Sequence, residues 1–176
     1  AWGICDKLDM LIWLLADAMG PALTTYTAQN MGAGRWDRVC KGNRIGAAMS
    51  VAAVGAVSLA LYFLTAPLGG LFVPVQDAPE VVPQAVAFMR RMAPFFLFYA
   101  LAESFSGACC GTGDTVRPMI LTLLSICLLR VLGILLLLPR QHTMECIIDI
   151  YITSWIAAGI GFLSLWQWEK KRVQKA

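Results

Sequence analysis

Residues 45–76 read IGAAMSVAAVGAVSLALYFLTAPLGGLFVPVQ, a run of 32 residues without a single charged side chain. The hydrocarbon core of a bilayer is about 30 Å thick, and a helix of about 20 apolar residues crosses it. The run is therefore long enough to span a membrane. A soluble domain buries shorter apolar segments, so this stretch predicts a membrane protein.

Four further segments have the same apolar character, which predicts a polytopic protein. The predicted spans cover residues of about 8–28, 45–64, 92–111, 118–138 and 150–168. Lipid offers the backbone no hydrogen-bond partner, so each span is predicted to be a helix. Pro67 and the Gly69–Gly70 pair are expected to end or bend the second helix near the interface. The predicted fold is an all-α membrane bundle of five transmembrane helices in a single domain, residues 1–176.

The composition agrees with this fold class and excludes others. Hydrophobic residues make up 59% of the chain and charged residues 14%, whereas about a quarter is charged in typical globular domains. A net charge of only +3 does not favour nucleic acid as a partner. The six cysteines are scattered without C-x-x-C spacing, so we interpret them as packing residues. The chain begins at Ala1, already close to a span and without an initiator Met, so we expect it to be part of a longer protein.

The basic residues predict an orientation, because Lys and Arg accumulate in cytoplasmic loops. Nine of them fall on one side of the predicted spans and four on the other. The nine are Arg35, Arg38, Lys41, Arg44, Arg117, Lys170, Lys171, Arg172 and Lys175. We therefore expect the segment from Gln29 to Arg44 and the carboxyl end to be cytoplasmic, in a cell's inner membrane.

The first span carries an unusual polar face. Asp9, Trp13 and Asp17 fall within about 80° of one another at 100° per residue, together with Gly20 and Thr24. Two carboxylates with an aromatic ring between them are a plausible path for cations, since the ring adds a cation–π surface. Two structural alternatives remain open. Asp9 would then be an interfacial partner of Lys7, and Asp17 would form a buried ion pair with a neighbouring helix.

The third and fourth spans carry further charges at middle depth. Tyr99 and Glu103 lie four residues apart, which places them on one helix face. Arg130 reaches a similar depth, so it is predicted to form an ion pair with Glu103 or Asp17. The remaining carboxylate would bind a sodium ion, a proton or a cationic molecule. Charges in lipid are costly, so all three side chains are expected to face the bundle interior.

Motifs for enzymatic chemistry are missing from the sequence. His142 and Glu145 have a spacing that can bind a metal on a helix, but no third ligand is near, so we expect a solvated loop. The sequence has no glycine-rich phosphate loop and no recognisable nucleophile–base motif. We therefore expect neither an enzyme nor a bound metal or cofactor.

Two stretches resemble the multidrug and toxin extrusion (MATE) transporters. ALTTYTAQNMGAG at residues 22–34, followed by the basic WDRVCKG, is similar to the family's G-Q-N-x-G-A-G helix end, with Ala28 in place of the first Gly. GACCGTGDTVRP at residues 107–118 is similar to its R-G-x-G-D/S turn, with Cys110 where Arg is common. Arg130 matches the family's intramembrane Arg. The motif positions are Gln29, Asn30, Gly32, Gly34, Gly111, Gly113 and Pro118.

The resemblance implies helices eight to twelve of a twelve-helix transporter, which is five helices of an incomplete six-helix lobe. Such proteins export organic cations and other amphipathic drugs in exchange for sodium or protons. The implied partners are cationic small molecules, membrane lipid and an amino-terminal half. Coupling acids in the family include residues of helices eight and ten, which hold Asp9, Asp17 and Glu103 here.

Other functions remain as alternatives. A lipid-linked oligosaccharide flippase of the same superfamily would be expected to carry several intramembrane arginines, and this sequence has one. A membrane-embedded enzyme would need a cluster of acidic or histidine residues. A non-transporting membrane scaffold predicts that neutralising Asp9, Asp17 and Glu103 has no consequence.

Overall fold

The computed structural model describes residues 2–72, 78–141 and 143–173, and the regular elements in these ranges are helices. The seven α-helices are α1 (Trp2–Gly32), α2 (Trp36–Phe72), α3 (Ala78–Met92), α4 (Phe96–Gly111), α5 (Val116–Thr122), α6 (Leu129–Gln141) and α7 (Met144–Val173). A 3-10 turn, Ala93–Phe95, joins α3 to α4, and a π-helical segment, Leu123–Leu128, joins α5 to α6.

Four helical stretches in the described chain are long and apolar enough to cross a membrane. They are Trp36–Phe72, Ala78–Gly111, Val116–Pro139 and Met144–Val173. The predicted class, a helical membrane bundle, therefore fits the structure. The first predicted span corresponds to α1, which has 31 residues and is long enough. It is not among these four stretches, so the fifth span stays a prediction.

The helices extend beyond the predicted spans. Of the two predicted effects of Pro67 and the following glycines, an end of the second helix is wrong, because α2 continues to Phe72, and a bend stays a prediction. A proline removes one backbone hydrogen bond, and membrane helices tolerate that loss. The third span gains the amphipathic helix α3, which the sequence pattern did not predict. Pro94 lies in the 3-10 turn that follows, where its missing N–H disturbs the regular helix.

The core is formed by α1, α2, α4 and α7, and α1 and α4 share the most extensive contact. Side chains near α3 form one buried cluster, which includes Ile12, Met89, Phe96 and Trp155. Side chains near the turn between α1 and α2 form a second cluster, which includes Val39, Ala108, Phe162 and Trp166. The stretch from α5 to α6 packs against α7 and turns most of its leucines outward.

Candidate functional site

A close approach of α1 and α4 brings the predicted polar faces together. A Cβ atom added to Gly107 would lie 2.8 Å from the carbonyl carbon of Gly20, closer than real Cβ atoms come. The hydroxyl of Thr24 donates to the carbonyl oxygen of Gly107 at 3.0 Å. One turn further along α4, a Cβ on Gly111 would lie 2.6 Å from the carbonyl oxygen of Thr24. Glycine at these positions lets two backbones meet, as small residues do in membrane helices.

Asp17, Tyr99 and Glu103 form a polar cluster at this contact, which we call the carboxylate cluster. The hydroxyl of Tyr99 donates to Asp17 Oδ1 at 2.7 Å. The Tyr99 ring packs on Trp13, with 4.6 Å between the ring centroids. Glu103 follows Tyr99 by one turn, and its Oε2 atom lies over Gly20, 3.3 Å from where a Cβ would stand. The polar face of α1 and the Tyr99–Glu103 face of α4 therefore contact each other, a contact that the sequence pattern did not predict.

Exposure differs among the predicted mid-membrane charges. We expected Asp17, Glu103 and Arg130 all to face the bundle interior. Glu103 and Arg130 are half-buried, whereas Asp17 is exposed on a side of α1 that the other described helices leave uncovered. Tyr99 is buried, so the carboxylate cluster has one buried wall and one open side.

Arg130 does not form the predicted ion pair. Among the described residues, no ion pair within 4.0 Å includes Arg130. Its Nε donates to Ser154 Oγ at 2.9 Å. Its guanidinium carbon lies 4.1 Å from the ring centroid of Tyr151 and 5.9 Å from that of Trp155. The prediction fails because α7, rather than α1 or α4, supplies the neighbours of Arg130, and aromatic faces stabilise its charge there.

A cavity of about 350 Å³ lies between α1 and Arg130, and we call it the two-signed cavity. Its lining includes Asp6, Asp9, Trp13, Met92, Arg130 and Tyr151. Asp9 is 9% exposed, so the predicted interfacial residue is buried in the protein. The structural alternative, in which Asp9 is a partner of Lys7, does not occur among the ion pairs of the described residues. Instead, Lys7 lies 5.2 Å from the ring centroid of Phe72.

The family-motif residues lie in or beside two turns at the opposite end of the bundle from this cavity, where α1 is joined to α2 and α4 to α5. Gly34 and Gly113 have φ angles of 67° and 93°, a left-handed region that favours glycine. Asn30 donates from its side-chain amide to the carbonyl of Tyr26 at 2.8 Å. Pro118 is buried in the first turn of α5, where its missing N–H costs no hydrogen bond. Gln29 and Gly32 are exposed.

An ion cluster that the sequence pattern did not predict ties the tail of α7 to the turn before α5. Glu169 is fully buried, with one oxygen 3.4 Å from Arg117 and the other 3.0 Å from Arg172. Arg117 also pairs with Asp114 at 2.7 Å. Burial raises the pKa of Asp114, but hydrogen bonds from the Arg117 amide and guanidinium lower it, and the net pKa lies below the usual value. The sequence did contain one clue, the single acid Glu169 beside a basic tail. Its partner Arg117 is 52 residues away in the sequence, so the pattern alone did not reveal the pair.

The end of the bundle that holds the two-signed cavity also has an ion pair between distant elements. Arg91 at the end of α3 donates to both oxygens of Asp149 in α7, at 2.7 and 2.8 Å. Glu145 lies 3.6 Å from the same guanidinium. Within the described ranges, no group of three metal-ligating side chains occurs. The hypothetical partner of Glu145, His142, lies outside the described residues.

Comparison with known proteins gives the family. A search of curated protein sequences found no match. The family model MatE matches residues 1–136, which is more than half of the 176 residues. Together with the apolar helices, this match shows that the chain belongs to the MatE family and is a membrane transporter of the MATE superfamily.

Proposed function

We propose that the chain is part of an antiporter that exports cationic or amphipathic drugs in exchange for sodium or protons. The carboxylate cluster carries this proposal, because Asp17 and Glu103 approach each other from two helices around one tyrosine hydroxyl. Asp17 accepts the hydrogen bond of Tyr99, and an ionised carboxylate is the stronger acceptor for it. An intramembrane carboxylate is costly and is typical of ion pathways.

Glu103 is the residue to which we assign coupling. In the described part of the chain, no side chain forms an ion pair with Glu103. Its carboxylate lies at Gly20, where the absence of a side chain leaves room for it. A sodium ion or a proton would neutralise Glu103, and Tyr99 would hold Asp17 oriented towards the same ion. Release of that ion would then accompany binding of a cationic substrate.

We further propose that α1, α2, α3–α4, α5–α6 and α7 are five transmembrane helices of an incomplete six-helix lobe. Alternating access needs two bundles that move about a central site, so the chain alone is not expected to transport. The excess of basic residues on the side that carries Arg38 and the tail supports a cytoplasmic carboxyl end in the inner membrane.

The test uses the complete transporter that contains this chain, reconstituted in vesicles with a sodium or proton gradient. Glu103→Gln should abolish ion-driven export of a fluorescent organic cation, while the amount of folded protein stays unchanged. Glu80→Gln is the matched control, because Glu80 is an exposed acid in the first turn of α3. Normal coupled export by Glu103→Gln would refute the coupling role and would favour a structural role for the carboxylate cluster.

A further inference from the structure

The two-signed cavity carries charges of both signs on separate elements. Asp6 and Asp9 belong to α1, whereas Arg130 belongs to α6. All three line the same space, yet no ion pair within 4.0 Å joins them in the described chain. The opposite charges therefore line the cavity without direct contact between them. Trp13 and Met92 give the cavity an apolar wall between its charged ends.

Arg130 keeps most of its hydrogen-bonding capacity for this cavity. A guanidinium carries five N–H donors in a fixed fork. Only the Nε donor of Arg130 has an acceptor among the described residues, namely Ser154. The ring of Tyr151 stacks on the guanidinium, which holds its plane without using a donor. The two terminal amino groups thus match a carboxylate, which accepts two parallel hydrogen bonds from such a fork.

The opposite end of the cavity selects for a positive group. Asp9 is nine-tenths buried, and a buried carboxylate gains from a cation that replaces its lost hydration. A ligand with only a positive charge would meet repulsion from Arg130. A ligand with only a negative charge would meet repulsion from Asp6 and Asp9. A molecule with both charges, separated by an apolar body, satisfies both ends.

We infer that the two-signed cavity binds amphipathic zwitterions, with Asp9 holding the ammonium group and Arg130 holding the carboxylate. The volume of about 350 Å³ lies at the lower end of the range for small-molecule sites. This inference rests on the proposed role of the chain as a carrier of amphipathic compounds. It assigns Arg130 to ligand selection, and it is independent of coupling at Glu103.

The test is calorimetric binding to the full chain in lipid nanodiscs, with three ligands that share one aromatic body. These are 4-(2-aminoethyl)benzoic acid, its methyl ester and 4-ethylbenzoic acid, which are a zwitterion, a cation and an anion at pH 7. The zwitterion should bind roughly tenfold more tightly than the ester, a factor that corresponds to about 1.4 kcal/mol. The anion should bind more weakly than either.

Variants identify the residues responsible. In Arg130→Gln, the affinities for the zwitterion and the ester should become similar. Asp9→Asn should lower the affinities for both ligands by a similar factor. Arg90→Gln is the control, because Arg90 is exposed, lies outside the cavity and is stacked on Tyr62. Arg130→Lys keeps the charge but not the fork, so it should retain only part of the preference. It serves as the second variant if Arg130→Gln loses its helical circular dichroism signal.

Equal affinity for zwitterion and ester in the unchanged chain would overturn the inference, as would the absence of binding by all three ligands. A preference that survives in folded Arg130→Gln would overturn the role of Arg130. The assay uses no ion gradient, so it separates this inference from the proposed function. Glu103→Gln should lose coupled export and still prefer the zwitterion.

Discussion

Gly107→Ala tests whether the close approach of α1 and α4 holds the carboxylate cluster together. The new Cβ would stand 2.8 Å from the carbonyl carbon of Gly20 and 2.9 Å from its Cα. Carbon atoms in contact are ordinarily about 3.5–4.0 Å apart. The obstacle is backbone, which cannot rotate away as a side chain can. The two helices must therefore separate by about 1 Å at this level.

The cost follows from the contacts that such a separation weakens. A gap of 0.5–1 Å removes roughly a quarter to a half of the dispersion energy of each atom pair across the contact. The Thr24 hydroxyl lies near the carbonyl oxygens of both Gly20 and Gly107, so loss of its contact with Gly107 would cost at most about 1 kcal/mol. Overpacking of a tight contact costs about 1–3 kcal/mol, so we expect a total loss of roughly 2–4 kcal/mol.

Thermal unfolding in nanodiscs measures this loss, and Gly70→Ala is the control. Gly70 also lies inside a helix, but a Cβ there would meet nothing within 4 Å. The control should keep or slightly raise the melting temperature, because alanine favours the helix. Gly107→Ala should lower it by several degrees. If the two variants have the same melting temperature, α1 and α4 do not pack as closely as the structure shows, and the reasoning is refuted.

Two further predictions concern the ends of the bundle. In a Cys40→Ser background, a membrane-impermeant maleimide should label Thr143→Cys from outside intact cells and leave Arg38→Cys unlabelled; the reverse pattern would invert the proposed orientation. Glu169→Gln should lose about 1–3 kcal/mol of stability in chemical or thermal unfolding, because it removes a buried negative charge that lies within ion-pair distance of Arg117 and Arg172. Glu145→Gln, which changes an exposed ion pair, should lose less than about 1 kcal/mol, and equal losses would contradict the structural role of Glu169.

The sequence was sufficient for the features that depend on local periodicity. The apolar runs predicted the membrane helices, and the 3.6-residue repeat placed Asp17 on one face of α1 and Tyr99 with Glu103 on one face of α4. The contact between these two faces was not predicted from the sequence and comes from the structure. The close approach of Gly20 and Gly107 was not predicted either, although helical spacing places the two glycines on those faces.

Features that depend on partners far apart in sequence were not predictable. The predicted depth of Arg130 in the membrane was compatible with an ion pair to Glu103 or Asp17. The rotation of its helix instead directs the side chain to Ser154 and Tyr151. Helix rotation depends on packing across several helices and on irregular turns, and neither leaves a periodic signal. The ion pairs of Glu169 were not predictable for the same reason. In the sequence, Glu169 looks like one more polar residue of a solvated tail.

The π-helical segment at Leu123–Leu128 explains how α5 and α6 both face α7. Leu121 packs on Gly161, and Gly133 packs on Ile150. Twelve residues of regular helix would place Leu121 and Gly133 about 120° apart, whereas a single-residue expansion reduces the angle to about 20°. Deleting the outward-facing Leu124 should therefore convert the segment to α-helix and leave the melting temperature within a few degrees. Deleting Leu123 and Leu124 together should rotate Arg130 by about 100° away from Ser154 and lower the melting temperature strongly. If the single deletion is as damaging as the double, the expansion does not set the rotation of Arg130.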